Sequence, residues 1–143
     1  MRYVIGLDVT LRLLRDRTSV PPGNKLVAPT LLRSEVLSHL FMSVRRGEFD
    51  RAEAAARLDH MRTLKIRLLG DRVLQKVAWD VAEQLGWADT LKAEYVALTK
   101  LQADAFVTLD EAFARSLQDI VPLAAIEDVV TSSGLVAEAS APN

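Results

Sequence analysis

The sequence predicts an α/β domain with a central parallel sheet flanked by helices, on three observations. Short apolar runs of strand length alternate with longer segments whose apolar residues recur every three or four positions. The runs are continuous rather than alternating, as in strands buried on both faces. Two of them, Tyr3 to Leu7 and Ala105 to Leu109, are followed at once by an aspartate, Asp8 and Asp110. Residues just beyond the carboxyl ends of parallel strands gather on one side of the sheet, where open α/β folds place their ligands.

The elements follow in order. Residues 2–7 read as a buried strand, and Thr10 to Arg17 as a short helix. Pro21-Pro22-Gly23-Asn24 is a loop, and Leu26-Val27-Ala28 a short apolar piece closed by Pro29. From Thr30, Leu32, Val36, Leu40 and Val44 recur every fourth residue with Leu37 and Phe41 beside them, which predicts an amphipathic helix to about Arg46, stopped by Gly47. Residues 49–61 are an alanine-rich helix that pairs with it as a hairpin. Leu64 to Leu69 reads as a strand closed by Gly70. Asp71 caps a helix through Leu85, with Val73, Val77, Val81 and Leu85 on one stripe and Gly86 as terminator. A further helix spans residues 90–101, followed by a strand at 105–109, a short helix at 110–117 and a last strand at 121–126. Residues 1–130 form one domain, and 131–143, which have little to bury, a flexible tail.

Composition narrows the function. Half of the 143 residues are apolar, and 18 Lys plus Arg against 19 Asp plus Glu leave a net charge of −1, so the whole chain is no polyanion magnet. Arg12, Arg15, Arg17, Arg33, Arg45 and Arg46 crowd the first third; they are either solvated helix faces or local phosphate contacts. With no cysteine, disulfides, thiolate metal sites and cysteine nucleophiles are excluded. No apolar run approaches the ~18 residues of a membrane span. Asp8 and Arg12 interrupt what would be a signal peptide, so the expected location is the cytoplasm, with no membrane partner.

Several chemistries find no support. The six glycines are scattered, with no phosphate-binding loop, and the serines have no nucleophile elbow. His39 and His60 lack the spacing of zinc ligands. His39, four residues after Glu35, shares its helix face and is within reach of its carboxylate; the alternative is a solvated surface histidine. A phosphoacceptor receiver domain also has an aspartate after a strand, but would need adjacent acids near the N-terminus, and Tyr3 to Leu7 has none.

Four segments then stand together: the strand ending in Asp8 with Val9-Thr10-Leu11 after it; Ala28-Pro29-Thr30-Leu31-Leu32-Arg33-Ser34-Glu35-Val36; Ala93-Glu94-Tyr95-Val96-Ala97-Leu98; and Phe106-Val107-Thr108-Leu109-Asp110. In this order and spacing they resemble the PIN-domain family, and more narrowly the VapC toxins of bacterial type II toxin–antitoxin (VapBC) modules, over about residues 2–126. The resemblance implies a PIN-like three-layer sandwich. It further implies a magnesium-dependent endoribonuclease, with manganese as a substitute ion, that cleaves RNA phosphodiesters. Such a toxin forms a homodimer and is held inactive by a VapB-like antitoxin. The helices around 30–46 and 71–101 carry the apolar surface for self-association.

The family's acidic residues carry over unevenly. Its first aspartate falls on Asp8, its glutamate on Glu35 and its last acid on Asp110, with Thr108 and Thr10 lining the site. Its third aspartate, three residues before the helix tyrosine Tyr95, is Lys92 here. Asp89 replaces it as a metal ligand if the helix starts early; Thr90 competes as the cap, which would leave Asp89 outside. Glu94, about 200° round the helix from Lys92, is expected to point elsewhere. Lys92 itself is expected among Asp8, Glu35 and Asp110, paired with one of them and competing with the metal ion. The alternative function is a catalytically weakened PIN domain acting by RNA or antitoxin binding. For each acid a plainer role is open as well: Asp8 and Asp110 as helix caps, Glu35 as a solvated edge residue.

Overall fold

The computed structural model describes residues 1–132 of the chain. In chain order the elements are β1 (Arg2–Ile5), α1 (Leu7–Asp16), β2 (Lys25–Pro29), α2 (Leu31–Arg45), α3 (Arg51–Thr63) and β3 (Arg67–Leu69). They continue with α4 (Arg72–Leu85), α5 (Leu91–Gln102), β4 (Ala105–Val107), α6 (Glu111–Ser116), β5 (Leu123–Ala124) and α7 (Ile126–Val130). All strand pairings are parallel and the sheet order is β3-β2-β1-β4-β5. From β1 the chain steps outward to β2 and β3, then crosses back to add β4 and β5 on the other side. The reversal lies between β1 and β4.

Right-handed crossovers put α1, α2 and α3 on one face of the sheet and α4, α5 and α6 on the other, which makes three layers. The packing agrees: α1, α2 and α3 touch one another, whereas α5 lies across β1, β2 and β4 and is backed by α4. The core joins Val4, Ile5, Val27 and Phe106 of the sheet to Leu13 and Leu14 of α1, Leu32 and Val36 of α2, and Val96 and Leu98 of α5.

The strands are shorter than the apolar runs. The first ends at Ile5, because Gly6 turns the chain and becomes the N-cap of α1, so Asp8 stands in the first turn of a helix and not at a strand end. The run 64–69 gives a strand only at 67–69: Leu64 is the buried C-cap of α3, and Lys65 follows with φ of 54°. The run 105–109 stops at Val107, and 121–126 gives two strand residues before α7, a helix not anticipated, whose Val129 is buried. Most of the expected tail, residues 133–143, lies outside the described residues.

The helices follow their periodicity with one shift. On α4 the buried residues are Leu74, Ala78, Val81 and Ala82, and Val73 is 57% exposed. A stripe taken every fourth residue drifts about 40° per step from a 3.6-residue helix, so Val73 at its start falls off the buried face while Val81 stays in it and Val77 and Leu85 pack at its edge. Asp71 does cap α4, accepting from the Leu74 N–H at 2.9 Å. Gly47, at φ 77°, takes the left-handed conformation that ends α2 and turns the chain toward α3.

Asn24 fastens the C-terminal helix. The residue is buried between α1 and β2, and its amide nitrogen lies 3.2, 2.9 and 2.9 Å from the carbonyls of Asp128, Val129 and Thr131. Asn24→Ala leaves those carbonyls with one fewer donor and should cost roughly 1–3 kcal/mol. Hydrogen exchange should show residues 126–130 opening ahead of the rest; uniform protection loss across the sheet would contradict a local clasp.

Candidate active site

The site is built where the sheet order reverses. Backbone turns at the ends of β1 and β4 lie side by side there, joined by the Gly6 N–H bonding the Val107 carbonyl at 3.1 Å. Asp8 fastens the same junction. Its Oδ2 accepts from the Thr108 hydroxyl at 2.8 Å and from the Leu109 N–H at 2.8 Å, while its Oδ1 accepts from the Val9 N–H at 2.7 Å. Gly6 makes room for it: a Cβ at that position would lie 2.9 Å from Asp8 Oδ1. A carboxylate has about four acceptor positions, so three donors orient Asp8 and leave it able to take one further partner.

Thr108 relays the arrangement to Asp110. The Asp110 N–H donates to the Thr108 hydroxyl oxygen at 3.2 Å, and that hydroxyl donates on to Asp8. The Asp110 carboxylate is exposed and accepts from the Phe113 N–H at 3.0 Å, so it caps α6. Thr10, expected to line the site, is fully buried; its hydroxyl donates to the Gly6 carbonyl at 2.9 Å and supports the turn from below.

Glu35 is brought in from α2 and held by α5. The Tyr95 hydroxyl donates to it at 2.6 Å. Tyr95 is buried, with its ring 6.3 Å from Phe106. Burial pushes its phenol well above the ordinary value of 10.0; the bond to Glu35 and the charges of Glu35, Glu94 and Asp8 push the same way. Tyr95 therefore stays protonated and a donor at neutral pH, facing three carboxylates. No hydrogen bond joins His39 to Glu35 among the described residues. His39 lines a groove with Asp8, Arg12 and Arg57, while His60 donates to the Thr18 carbonyl at 2.8 Å and ties α3 to the end of α1.

The residues around the missing acid differ from expectation. Lys92 is exposed and pairs with no carboxylate among the described residues; its ammonium lies 4.8 Å from the centroid of the Phe113 ring. Helix α5 starts at Leu91, and Asp89, outside it, accepts from the Leu91 N–H at 3.0 Å. Asp89 thus serves the helix start, at the rim of a groove shared with Glu35, Lys92, Trp87 and Phe113, rather than standing beside Asp8. Glu94 is the acid that α5 turns toward the site. Burial raises its carboxyl above the ordinary glutamate range, and the Glu35 charge raises it further. Lys92 and Glu94 do occupy different faces of the helix; the face turned to Glu35 includes Glu94.

No group of three or more His, Asp or Glu side chains among the described residues stands close enough to share one metal ion. Asp8, Glu35 and Asp110 are therefore not assembled as a three-carboxylate cage. Magnesium keeps several waters and takes one or two carboxylates directly, so Asp8 and Glu35 are the residues that could hold one. None of the ion pairs among the described residues neutralises Asp8, Glu35 or Glu94.

No family model and no curated protein matches the chain. Solved structures do resemble it. PAE2754 from Pyrobaculum aerophilum superposes with a TM-score of 0.63 at 18% identity, covering 91% of this chain and 93% of that one. VapBC2 from Rickettsia felis, solved bound to a DNA fragment from their promoter, gives 0.60 at 14% identity over 87% and 98%. VapBC-1 from nontypeable Haemophilus influenzae gives 0.61 at 13% identity over 89% and 99%. The likeness shows the fold, a PIN-like α/β sandwich.

The raised Glu94 carboxyl has a pH signature. A folded-state value above the unfolded one means that the folded chain binds this proton more tightly, so ionised Glu94 costs stability at neutral pH. That cost fades as pH falls through the folded value toward the ordinary glutamate range. Glu94→Gln should then melt higher than the parent at pH 7, with the difference closing below about pH 4. Thermal melts across that window test it; a pH-independent difference would mean that Glu94 lies clear of Glu35.

Proposed function

We propose that the protein is a PIN-domain ribonuclease, the toxin of a toxin–antitoxin pair, acting at Asp8 and Glu35. The observation that carries this reading is Asp8, held by three donors at the reversal of a parallel sheet, with a second carboxylate positioned by a buried tyrosine. The fold neighbours include VapBC structures, which supports a VapB-like antitoxin as partner. Magnesium, or manganese in its place, is the proposed cofactor, with Asp8 and Glu35 as the residues that would hold it. A divalent ion so bound supplies a water of lowered pKa and offsets charge on the phosphodiester under attack.

The chain's own residues do the positioning. Thr108 and the Leu109 N–H keep Asp8 from rotating, and the Tyr95 hydroxyl keeps Glu35 aimed. Glu94 adds negative charge that favours a cation at this place. Lys92, free of carboxylates, is available to a substrate phosphate. Asp110 acts through α6 and Thr108. A second reading, a PIN domain with weakened catalysis that works by binding RNA or antitoxin, is favoured by one observation: no three acids among the described residues converge.

The proposed partners have a surface. Leu37 and Phe41 of α2 are 56% and 65% exposed, and Val73 and Trp79 of α4 are 57% and 65% exposed. Apolar side chains grouped on helices in this way mark association surfaces, here for a homodimer or for the antitoxin. Light scattering at tens of micromolar should give twice the chain mass, and Phe41→Glu should return the monomer; a monomeric parent would count against self-association.

Asp8→Asn tests the activity. Asparagine keeps one acceptor oxygen, so the fold should persist with a loss of about 1–2 kcal/mol. Cleavage of single-stranded RNA in magnesium should fall to background, as should cleavage by the parent in chelator. Equal cleavage by parent and variant would place the chemistry elsewhere or nowhere.

A further inference from the structure

The groove on the Lys92 side of Glu35 is not used by the carboxylates, yet it is built. Trp87, Ala88, Asp89, Leu91, Lys92 and Phe113 line it with Glu35, around about 380 Å³. Trp87 is set by the end of α4: Gly86 takes the left-handed conformation at φ 69°, and the Trp87 N–H bonds the Ala82 carbonyl at 2.9 Å. Phe113 is set by the start of α6, its N–H bound to the Asp110 carboxylate. The two rings lie 5.8 Å apart, and Phe113 meets the buried Phe106 edge-on at 5.9 Å, so the wall is anchored in the core. Both outer rings stay partly exposed.

We propose that this groove is a nucleobase subsite, in which a base of single-stranded RNA stacks against Trp87 and Phe113 while Lys92 meets the adjoining phosphate. The proposal rests on the ribonuclease reading and adds the strand's path beside Glu35. Three features argue for this occupant. Aromatic faces accept any base, because every base presents a π-surface. The only other charged groups lining the groove are Glu35 and Asp89. A phosphodiester entering beside them needs a cation, and Lys92 is the cation among the described lining residues and makes no ion pair among the described residues. A stacked base must also be splayed from its neighbours, which single strands allow and duplexes resist.

The lysine thus gains a role that its sequence position conceals. In place of an acid it gives the groove a positive rim, at the cost of one metal-side carboxylate.

The two tryptophans of the chain make the test direct. Trp79→Phe leaves Trp87 as the sole reporter; Trp79 is exposed on α4 and bonds only Glu83. A non-cleavable 2′-O-methyl single-stranded oligonucleotide, titrated in chelator, should quench Trp87 fluorescence. Phe113→Leu and Lys92→Gln should each weaken binding roughly 10-fold, and Lys92→Gln should also flatten its salt dependence. An abasic strand of the same length should quench little, and a duplex less than the single strand. Equal quenching by abasic and ordinary strands, or by duplex, overturns the base subsite. Absent quenching alongside Asp8-dependent cleavage overturns the subsite and leaves the nuclease standing. Quenching without cleavage upholds the subsite and removes the nuclease.

Discussion

The Asp8 carboxylate joins the two halves of this fold. Parallel strands leave their turns side by side at the point where strand order reverses, and beyond the last ladder bond, from the Gly6 N–H to the Val107 carbonyl, the loops part. Asp8 extends the junction by accepting the Thr108 hydroxyl and the Leu109 N–H, reaching from the β1 end to the loop after β4 across a hundred residues of sequence. Hydrogen bonds to a charged acceptor are worth about 1.5–3 kcal/mol each, so the residue has structural value without any ligand. Gly6 is the condition for it, since a side chain there would press on the Asp8 oxygen. The same bonds that stabilise the junction also aim the carboxylate, which is what the chemistry proposed for Asp8 would require.

Tyr95 is the second constraint, and it depends on the first. Its ring is packed against Phe106 of the strand that Asp8 ties down, and its hydroxyl fixes Glu35 on the opposite layer. The bond therefore joins α5 to α2 around the strand ends and brings the two layers to a common edge. Burial holds the phenol protonated, so the bond survives across the neutral range. Loss of Tyr95's hydroxyl would leave Glu35 facing Glu94 and Asp8 without a donor between them.

Much of this was legible in the sequence, for identifiable reasons. Asp8 stood out because an acid following a buried run has few places to go but the sheet's carboxyl edge, whereas Glu35 and Thr108 were reached only through the family resemblance. The caps Asp71 and Asp110 followed from residue type. Strand ends were misplaced because an apolar run does not show where the backbone turns: Gly6 and Lys65 redirect it while the run continues. The role of Thr10 was hidden because a hydroxyl one turn into a helix can face either the site or the Gly6 carbonyl. Helix α7 was missed because its burial is set by Asn24, a residue more than a hundred positions earlier.

Lys92 and Glu94 show what a motif leaves out. A family position fixes a place along a helix, but the electrostatics at that place depend on which side chain can reach it. Lys92 extends its chain over Phe113, where ring and ammonium attract, and so avoids burying its charge among acids. Glu94, shorter and on the other face, contributes charge near Glu35 and accepts a burial cost to do so. The acidic character of the site is thus kept two residues along, while the vacated side gains a cation and an aromatic wall. On the nuclease reading proposed above, the exchange would trade a carboxylate that repels a phosphodiester for a groove that attracts one, so the same residue that argues against strong metal binding would argue for a tighter hold on a strand.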